Sequence, residues 1–356
     1  MGNEWVVVHW GALRGNLLTP FNTRYLMARR NNNKMTRMRK IEPSPLTLTL
    51  VTPGTTAPGA ILRSYVDLSQ IASIVSRRFY RQGLNWGIAG IKCQSAQPGS
   101  IQVCKIPNTW VASAAWHKTF ALWNKQMNDT LAEGGNQSLR ARFSDFKIFA
   151  DAEHRALGVG ANLLPQSCGI VTAAPGEWDP SHVVLPQTAA DGSGTLIDPT
   201  EFTLHMVGGS TVNSKSLIQG YEDSRAFPQS PDPVGPSASS ANNWMSAMFD
   251  DGSANPEILD NAENENDNLP YDQSNYPGGA TQLASLEIHD ISQIYGTSAT
   301  TNIGITRAKS GNFPCGLIRI DWLPSADAST SANLAIQIDM IPGDHRGYLA
   351  EPMQDM

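Results

Sequence analysis

The fold is indicated most clearly near the C-terminus, where residues 334–340 read Leu-Ala-Ile-Gln-Ile-Asp-Met. Large apolar residues occupy every second position, which is typical of a β-strand with one buried and one exposed face. Long loops rich in Gly, Pro and Ser separate shorter segments with the same period. This pattern predicts an all-β fold, a β-sandwich or jelly roll with elaborated loops. The shorter alternating segments are 46–50, 101–103, 146–148, 202–206 and 318–322.

One or two short inserted helices are predicted between these strands. Four large apolar residues are spaced four, three and four apart, which places them on one face of a helix that begins near Trp110. They are Trp116, Phe120, Trp123 and Met127. A second, shorter helix is predicted around residues 243–249. We interpret the aromatic face as core packing rather than as a ligand site.

The charge of the chain is unevenly distributed. Residues 1–41 contain eight basic residues and one acidic residue, whereas residues 42–356 contain 18 basic and 31 acidic residues. We therefore expect a disordered N-terminal segment, 1–41, with a basic arm at 24–40, followed by one folded domain, 42–356. The seven basic residues of the arm are Arg24, Arg29, Arg30, Lys34, Arg37, Arg39 and Lys40.

A basic arm on an acidic body is typical of polyanion binding, and we predict that these seven residues bind nucleic acid. Such an arm neutralises phosphates one charge at a time without recognising a base sequence. Residues 37–40 could also act as a nuclear-import signal, and one arm can serve both purposes. The alternative is a solvated tail without a partner. Translation could begin at Met1 or at Met27.

A second basic group interleaves cations with aromatic residues, at 77–81 (Arg-Arg-Phe-Tyr-Arg). Aromatic rings beside cations can stack on unpaired bases. The preferred interpretation is the edge of a strand, with the Arg side chains outward and Phe79 inward.

Between Arg225 and Arg307 the chain has eleven acidic residues and no Lys or Arg. The favoured interpretation is a solvated acidic loop, densest at 250–267. The alternative is binding of a divalent cation such as Ca²⁺ between subunits, because hard cations take several carboxylate ligands. No EF-hand spacing supports a calcium site, and we predict neither a metal nor a cofactor.

The four cysteines, Cys93, Cys104, Cys168 and Cys315, form no C-x-x-C pair. We expect reduced, buried thiols in an intracellular protein. The alternative is a single Cys93–Cys104 disulfide between neighbouring strands. No apolar run is long enough to span a bilayer, so no membrane association is expected.

No phosphate-binding loop, zinc-hydrolase motif or serine-hydrolase motif occurs, and we expect that the protein is not an enzyme. His154 and His289 each lie among carboxylates and could act as general bases. The preferred interpretation is a satisfied polar residue at a strand end. The turn at 344–347 could hold an active site, form a subunit contact or close off the final strand.

Several segments resemble capsid proteins of small circular, Rep-encoding single-stranded DNA viruses, over a match from about residue 60 to the C-terminus. They are 108–111 (Asn-Thr-Trp-Val), 143–147 (Phe-Ser-Asp-Phe-Lys), 175–178 (Pro-Gly-Glu-Trp), 276–280 (Tyr-Pro-Gly-Gly-Ala) and 342–348 (Pro-Gly-Asp-His-Arg-Gly-Tyr). These motifs are structural rather than catalytic. The arm is shorter and less rich in Arg than many arms of this group.

The resemblance implies a single viral jelly roll that self-assembles into an icosahedral shell of 60 copies or a multiple. It also implies an inward-facing arm on a single-stranded DNA genome, a location in the virion, and entry into the host nucleus for assembly. The host import machinery and the cell-surface receptor are not identifiable from the sequence. One alternative is a secreted or intracellular β-sandwich enzyme or glycan-binding module with an incidental arm. Another is a cellular nucleic-acid-binding protein that forms no shell.

Overall fold

The computed structural model describes residues 43–135, 137–140, 145–185, 200–224, 245, 285–296, 303–328 and 330–356. The described part is mostly β-structure, with antiparallel sheets packed against each other and a few helices. The predicted arm, the acidic cluster at 250–267 and most of the predicted helix 243–249 lie outside the described residues. Of that helix only Met245 is described, and it is helical and buried.

The strands belong to two main sheets, one inserted sheet and two short hairpins. In chain order they are β1 Thr47–Val51, β2 Leu62–Asp67, β3 Leu84–Ser95, β4 Gly99–Lys105, β5 Phe149–Asp151, β6 Gln166–Ser167, β7 Val171–Thr172, β8 His182–Leu185, β9 Thr200–Val207, β10 Ser214–Ser216, β11 Glu287–Ile294, β12 Gly304–Ala308, β13 Gly311–Phe313, β14 Leu317–Pro324, β15 Ala335–Met340, β16 Pro342–Gly343, β17 Gly347–Tyr348 and β18 Ala350–Pro352. The described helices are α1 Leu68–Ser76, α2 Trp110–Glu133, α3 Ala152–Leu157 and α4 Leu217–Asp223.

Sheet 1 has the order β1–β15–β3–β12. Two shorter strands follow one another along each side of the long central strand β3. On one side β12 is followed by β13, and on the other β15 is followed by β18, because Trp86 of β3 pairs with both Phe313 and Ala350. All of these pairings are antiparallel.

Sheet 2 has the antiparallel order β11–β4–β14–β2. The inner faces of the two sheets enclose the first hydrophobic core, which includes Val66, Ile91 and Ile320. The strand predicted at 334–340 supplies four residues to this core, with β15 beginning one residue later than predicted. These are Leu334, Ile336, Ile338 and Met340.

The described parts of the connection between β4 and β11 form a third layer. It contains α2, α3, α4 and a sheet of β5, β8, β9 and β10, in which β9 pairs in parallel with β5 and β10. This layer encloses a second core with the outer face of sheet 2. Tyr65, Cys104 and Leu317 contribute to that core from sheet 2.

Helix α2 begins at Trp110, as predicted, because the Thr109 side chain caps its first turn by accepting from Ala112 N at 3.4 Å. Its aromatic residues pack in the second core, with Trp116 stacked on Phe120 at a centroid distance of 5.0 Å. The prediction of one or two short helices is wrong. Helix α2 has 24 residues, and the described part of the chain contains four α-helices.

Residues 146–148 do not form the predicted strand. Phe146 and Ile148 are buried, so the alternation correctly indicates burial. The backbone N–H groups of Lys147 and Ile148, however, bind side chains instead of a neighbouring strand. Lys147 N donates to Ser181 Oγ at 3.0 Å, and Ile148 N donates to Gln82 Oε1 at 2.6 Å. The segments predicted at 46–50, 101–103, 202–206 and 318–322 overlap β1, β4, β9 and β14.

The cysteine prediction is confirmed for three residues and wrong for one. Cys93, Cys104 and Cys315 are buried free thiols, whereas Cys168 is an exposed free thiol. The possible Cys93–Cys104 bridge does not form, since the two residues lie in different main sheets. No helix within the described ranges combines the length and apolarity needed to cross a bilayer.

Candidate nucleic-acid interface

The seven predicted nucleic-acid-binding residues lie outside the described residues, so the structure places none of them. They are Arg24, Arg29, Arg30, Lys34, Arg37, Arg39 and Lys40. The structure does describe the point where this segment joins the folded domain. Residues 43–46 lead directly into β1, the edge strand of sheet 1.

The entry segment is held by the turn between β16 and β17. Ser44 Oγ donates to the carbonyl of Arg346 at 2.9 Å, and Tyr348 Oη donates to the carbonyl of Pro45 at 2.8 Å. One residue further, Met340 N donates to the carbonyl of Leu46 at 2.7 Å. These bonds join the start of β1 to a turn about 300 residues later in the chain, so the arm is attached to a fixed point.

The turn itself requires an unusual backbone. Arg346 has φ of +52° and Gly347 has φ of +103°. Glycine suits the second position, because positive φ is strained for residues with a Cβ atom. The Arg346 carbonyl also accepts from Tyr80 Oη at 2.9 Å and from Arg78 Nη1 at 3.4 Å, which satisfies the strained peptide. Within the described chain, residues 344–347 form the turn between β16 and β17, and their contacts hold the entry segment and Tyr80.

Residues 77–81 form a loop, not the predicted strand edge. Helix α1 ends at Arg77, which has φ of +53°, and the chain then turns toward β3. The residue that points inward is Tyr80, fully buried, rather than Phe79, which is half-buried. The loop is tied to the turn because the Arg346 guanidinium donates to the carbonyl of Phe79. The prediction of an inward Phe79 is therefore wrong.

Two cationic residues contact the entry segment, since Ser44 Oγ accepts from Arg78 Nη1 at 3.4 Å and donates to the Arg346 carbonyl. With Arg77, which precedes Arg78 in the loop, we call these residues the root cluster. Arg77 and Arg346 are exposed and Arg78 is half-buried. One acidic residue, Asp344, is exposed in the same turn. The pKa of His345 is lowered, first by burial and then by Arg346, so this imidazole adds little positive charge. The root cluster gives the folded domain a cationic surface beside residues 43–46, where the described chain begins.

The aromatic rings beneath the root cluster serve the fold. Tyr80, Trp86 and Tyr348 pack with centroid distances of 5.5 to 5.8 Å and are fully buried. A buried ring has no free face for a nucleobase, so the base-stacking hypothesis does not apply to Tyr80.

The two candidate histidines differ in their hydrogen bonds. In His154, Nδ1 accepts from Ala150 N at 3.2 Å and Nε2 lies 2.8 Å from Asn162 Oδ1. Burial lowers the pKa of His154 to about 4, so the ring is neutral at pH 7. These contacts match the preferred interpretation of His154 as a satisfied polar side chain. His289 Nε2 donates to the carbonyl of Lys309 at 3.0 Å, which places the lone pair of the ring on Nδ1.

A buried carboxylate connects sheet 2 with the third layer. Asp67 accepts from Gln82 Nε2 and from Trp178 Nε1, both at 3.0 Å, and also caps helix α1. Burial raises its pKa despite these donors. No cluster of three or more His, Cys, Asp or Glu residues that could hold a metal ion occurs within the described ranges.

Asp145 gives the domain a predicted pH dependence. Burial raises the pKa of this carboxyl from 3.8 to about 7. Between these values the folded protein keeps a proton that the unfolded chain releases, so the contribution of Asp145 to stability falls as the pH rises. We expect Asp145→Asn to raise the Tm relative to the original protein by more at about pH 8 than at about pH 5.

The measurement is thermal unfolding across this range. The control is Asp327→Asn, which removes a carboxyl group from an exposed position. A constant difference for Asp145→Asn would show that this carboxyl does not ionise with a raised pKa.

No known protein family, no curated protein and no solved structure matches this chain.

Proposed function

We propose that this chain is a viral capsid protein that self-assembles into an icosahedral shell and packages single-stranded DNA through its basic N-terminal arm. The proposed class is the capsid protein of a small circular, Rep-encoding single-stranded DNA virus. The observation that carries the proposal is the strand order of the two main sheets, taken together with the basic arm at the start of the first strand.

The strand order supports a jelly roll. With β12 and β13 counted as one strand, and β18 as the continuation of β15, the two main sheets contain eight described strands. Numbered along the chain, their order is 1-8-3-6 in sheet 1 and 5-4-7-2 in sheet 2. Successive strands cross between the sheets, except strands 4 and 5, which pair within sheet 2. This order supports the jelly-roll arrangement of viral capsid and lectin domains.

The charge distribution supports packaging of a polyanion. The basic arm precedes the folded domain in the sequence, and the root cluster lies beside residues 43–46, where the described chain begins. A closed icosahedral shell has 60 subunits or a multiple, and 60 arms would supply about 420 positive charges. These charges could neutralise a few hundred phosphates, and further cations on the domain would serve a longer genome.

One feature favours a second candidate function, a β-sandwich module that binds a small ligand such as a glycan. A cleft of about 220 Å³ is lined by Trp116, Phe120 and Phe146, with Arg81 and Asp145 among its polar residues. Apolar walls with a few polar groups are typical of ligand sites. A module of this type has no need to form a shell.

Two measurements test the proposed function. Removing the charge of the arm tests DNA binding, and the mass of the purified particle tests assembly. A shell of 60 copies has a mass of about 2.3 MDa, compared with 38.5 kDa for the monomer. A particle of shell size favours the capsid, and a stable monomer favours the ligand-binding module.

A further inference from the structure

The outward face of sheet 1 carries a pair of cations on neighbouring strands. Lys92 of β3 lies directly opposite Arg307 of β12 in the antiparallel register. The row continues through Gln337 of β15 to Thr49 of β1. The residues that flank these positions along each strand, such as Ile91 and Ile338, point into the first core. The row therefore faces away from sheet 2.

Like charges in this arrangement disfavour folding. Directly opposed residues of an antiparallel pair have Cβ atoms about 5 Å apart, and like charges there are destabilising. Arg307 is exposed and Lys92 is half-exposed, and neither side chain forms a hydrogen bond or ion pair within the described part of the chain. An acidic or neutral residue at either position would stabilise the sheet more. The two cations therefore lack an anion that would offset their repulsion.

The surroundings of the pair suit a phosphate backbone. Gln94 lies two residues from Lys92 on the same face, and Gln337 and Thr49 add neutral hydrogen-bonding groups. Two acidic residues lie on the described outward face. Asp339 is one row away from the pair and accepts from Thr47 Oγ1 at 3.1 Å, and Glu351, at the far end of β3, accepts from Asn85 Nδ2 at 3.0 Å. Arginine and lysine together with neutral donors form the usual contacts to phosphate oxygens.

The location of the pair suggests which polyanion it binds. The basic arm enters the domain at β1, which is an edge strand of the same sheet. The chain that carries the basic arm therefore continues directly into the sheet that bears the pair. We propose that Lys92 and Arg307 form a second phosphate-binding site that holds the backbone of single-stranded DNA against this face. The inference rests on the proposed function and assigns the face of the domain that meets the genome.

The test uses the full-length chain and a fluorescent oligothymidylate of about 30 nucleotides, titrated at several salt concentrations. The double variant Lys92→Gln, Arg307→Gln removes the pair. The matched control, Lys125→Gln with Arg140→Gln, removes one exposed lysine and one exposed arginine from the other side of sheet 2. Both variants are also combined with an arm in which the seven basic residues are Ser.

We expect the Lys92, Arg307 variant to flatten the slope of log K against log salt by about 1.4, because each single-strand phosphate contact contributes about 0.7. The control variant is expected to keep the original slope. With the neutral arm, the residual salt-dependent binding should disappear only in the Lys92, Arg307 variant. The Tm of that variant should be unchanged or higher, since a repulsion is removed.

The other possible results contradict either the second phosphate-binding site or the proposed function. An unchanged slope in both arm backgrounds overturns the second site and leaves the role of the arm intact. A lower Tm for the double variant shows that the two cations serve the fold, and it overturns the inference as well. Absence of DNA binding by the original protein contradicts the proposed function itself.

Discussion

Replacing the seven basic residues of the arm by Ser is expected to weaken binding to single-stranded DNA by at least about 100-fold at 0.1 M salt. Each Arg or Lys that neutralises a phosphate releases counterions, so seven contacts give a slope of log K against log salt of about −5. The variant should lose most of this slope. Because the arm is separate in sequence from the two cores, the Tm of the domain should remain unchanged.

The control variant keeps the seven positive charges of the arm and exchanges the cationic side chains that carry them. In it each Arg of the arm becomes Lys and each Lys becomes Arg, so the seven charges remain. We expect the salt slope to stay close to the original value, since counterion release depends on charge. If the Ser variant binds DNA as tightly and with the same salt dependence as the original protein, the arm does not bind the genome.

The second large effect is expected from Arg319, on the outer face of sheet 2. Its guanidinium makes two hydrogen bonds of 2.8 Å with Asp321 and one of 3.2 Å with Asp151. These three side chains are between 13% and 17% exposed. Arg319→Ala leaves two largely buried carboxylates without their cation, and we expect a loss of about 3–5 kcal/mol in the free energy of unfolding. Chemical denaturation measures this difference.

Arg63 supplies a matched control at the same site. Its guanidinium also pairs with a carboxylate of the third layer, Glu153, but the two side chains are 41% and 36% exposed. An exposed ion pair contributes little, so Arg63→Ala should cost less than about 1 kcal/mol. If Arg319→Ala and Arg63→Ala lower the free energy of unfolding equally, the hydrogen bonds of Arg319 with Asp151 and Asp321 do not hold sheet 2 to the third layer.

Much of the two-sheet domain could be predicted because its strands follow a simple local rule. In 334–340 the apolar residues alternate, and the structure buries those residues in the first core. Helix α2 was predictable for the same reason, since its aromatic residues repeat with the period of a helix and Thr109 can cap it. Local patterns of this kind are strong when one face of an element is buried and the other is not.

The third layer was harder to predict because its backbone bonds are not local. At 146–148 the residues alternate like a strand, but their amides bind Gln82 and Ser181. The parallel pairs of β9 with β5 and β10 join segments whose order in the sheet no short pattern reveals. For the same reason the loop 77–81 resembled a strand edge, although a left-handed residue at Arg77 turns the chain away.

The candidate interface depends on contacts between distant residues. Ser44 and Arg346 are 302 positions apart, and only the folded chain brings the arm's attachment point beside the turn. The opposition of Lys92 and Arg307 likewise depends on the register of β3 and β12. The charge of the arm was evident from the sequence. Which cations of the domain lie next to each other, however, depends on the pairing of the strands.

The mass of the purified full-length protein tests the capsid proposal most directly. Multi-angle light scattering after size separation, over a range of salt and pH and with single-stranded DNA present, measures it. The account predicts a closed particle of about 2.3 MDa or a multiple, from 60 copies of a 38.5 kDa chain. A protein that stays at the mass of a monomer or dimer under all of these conditions would contradict it.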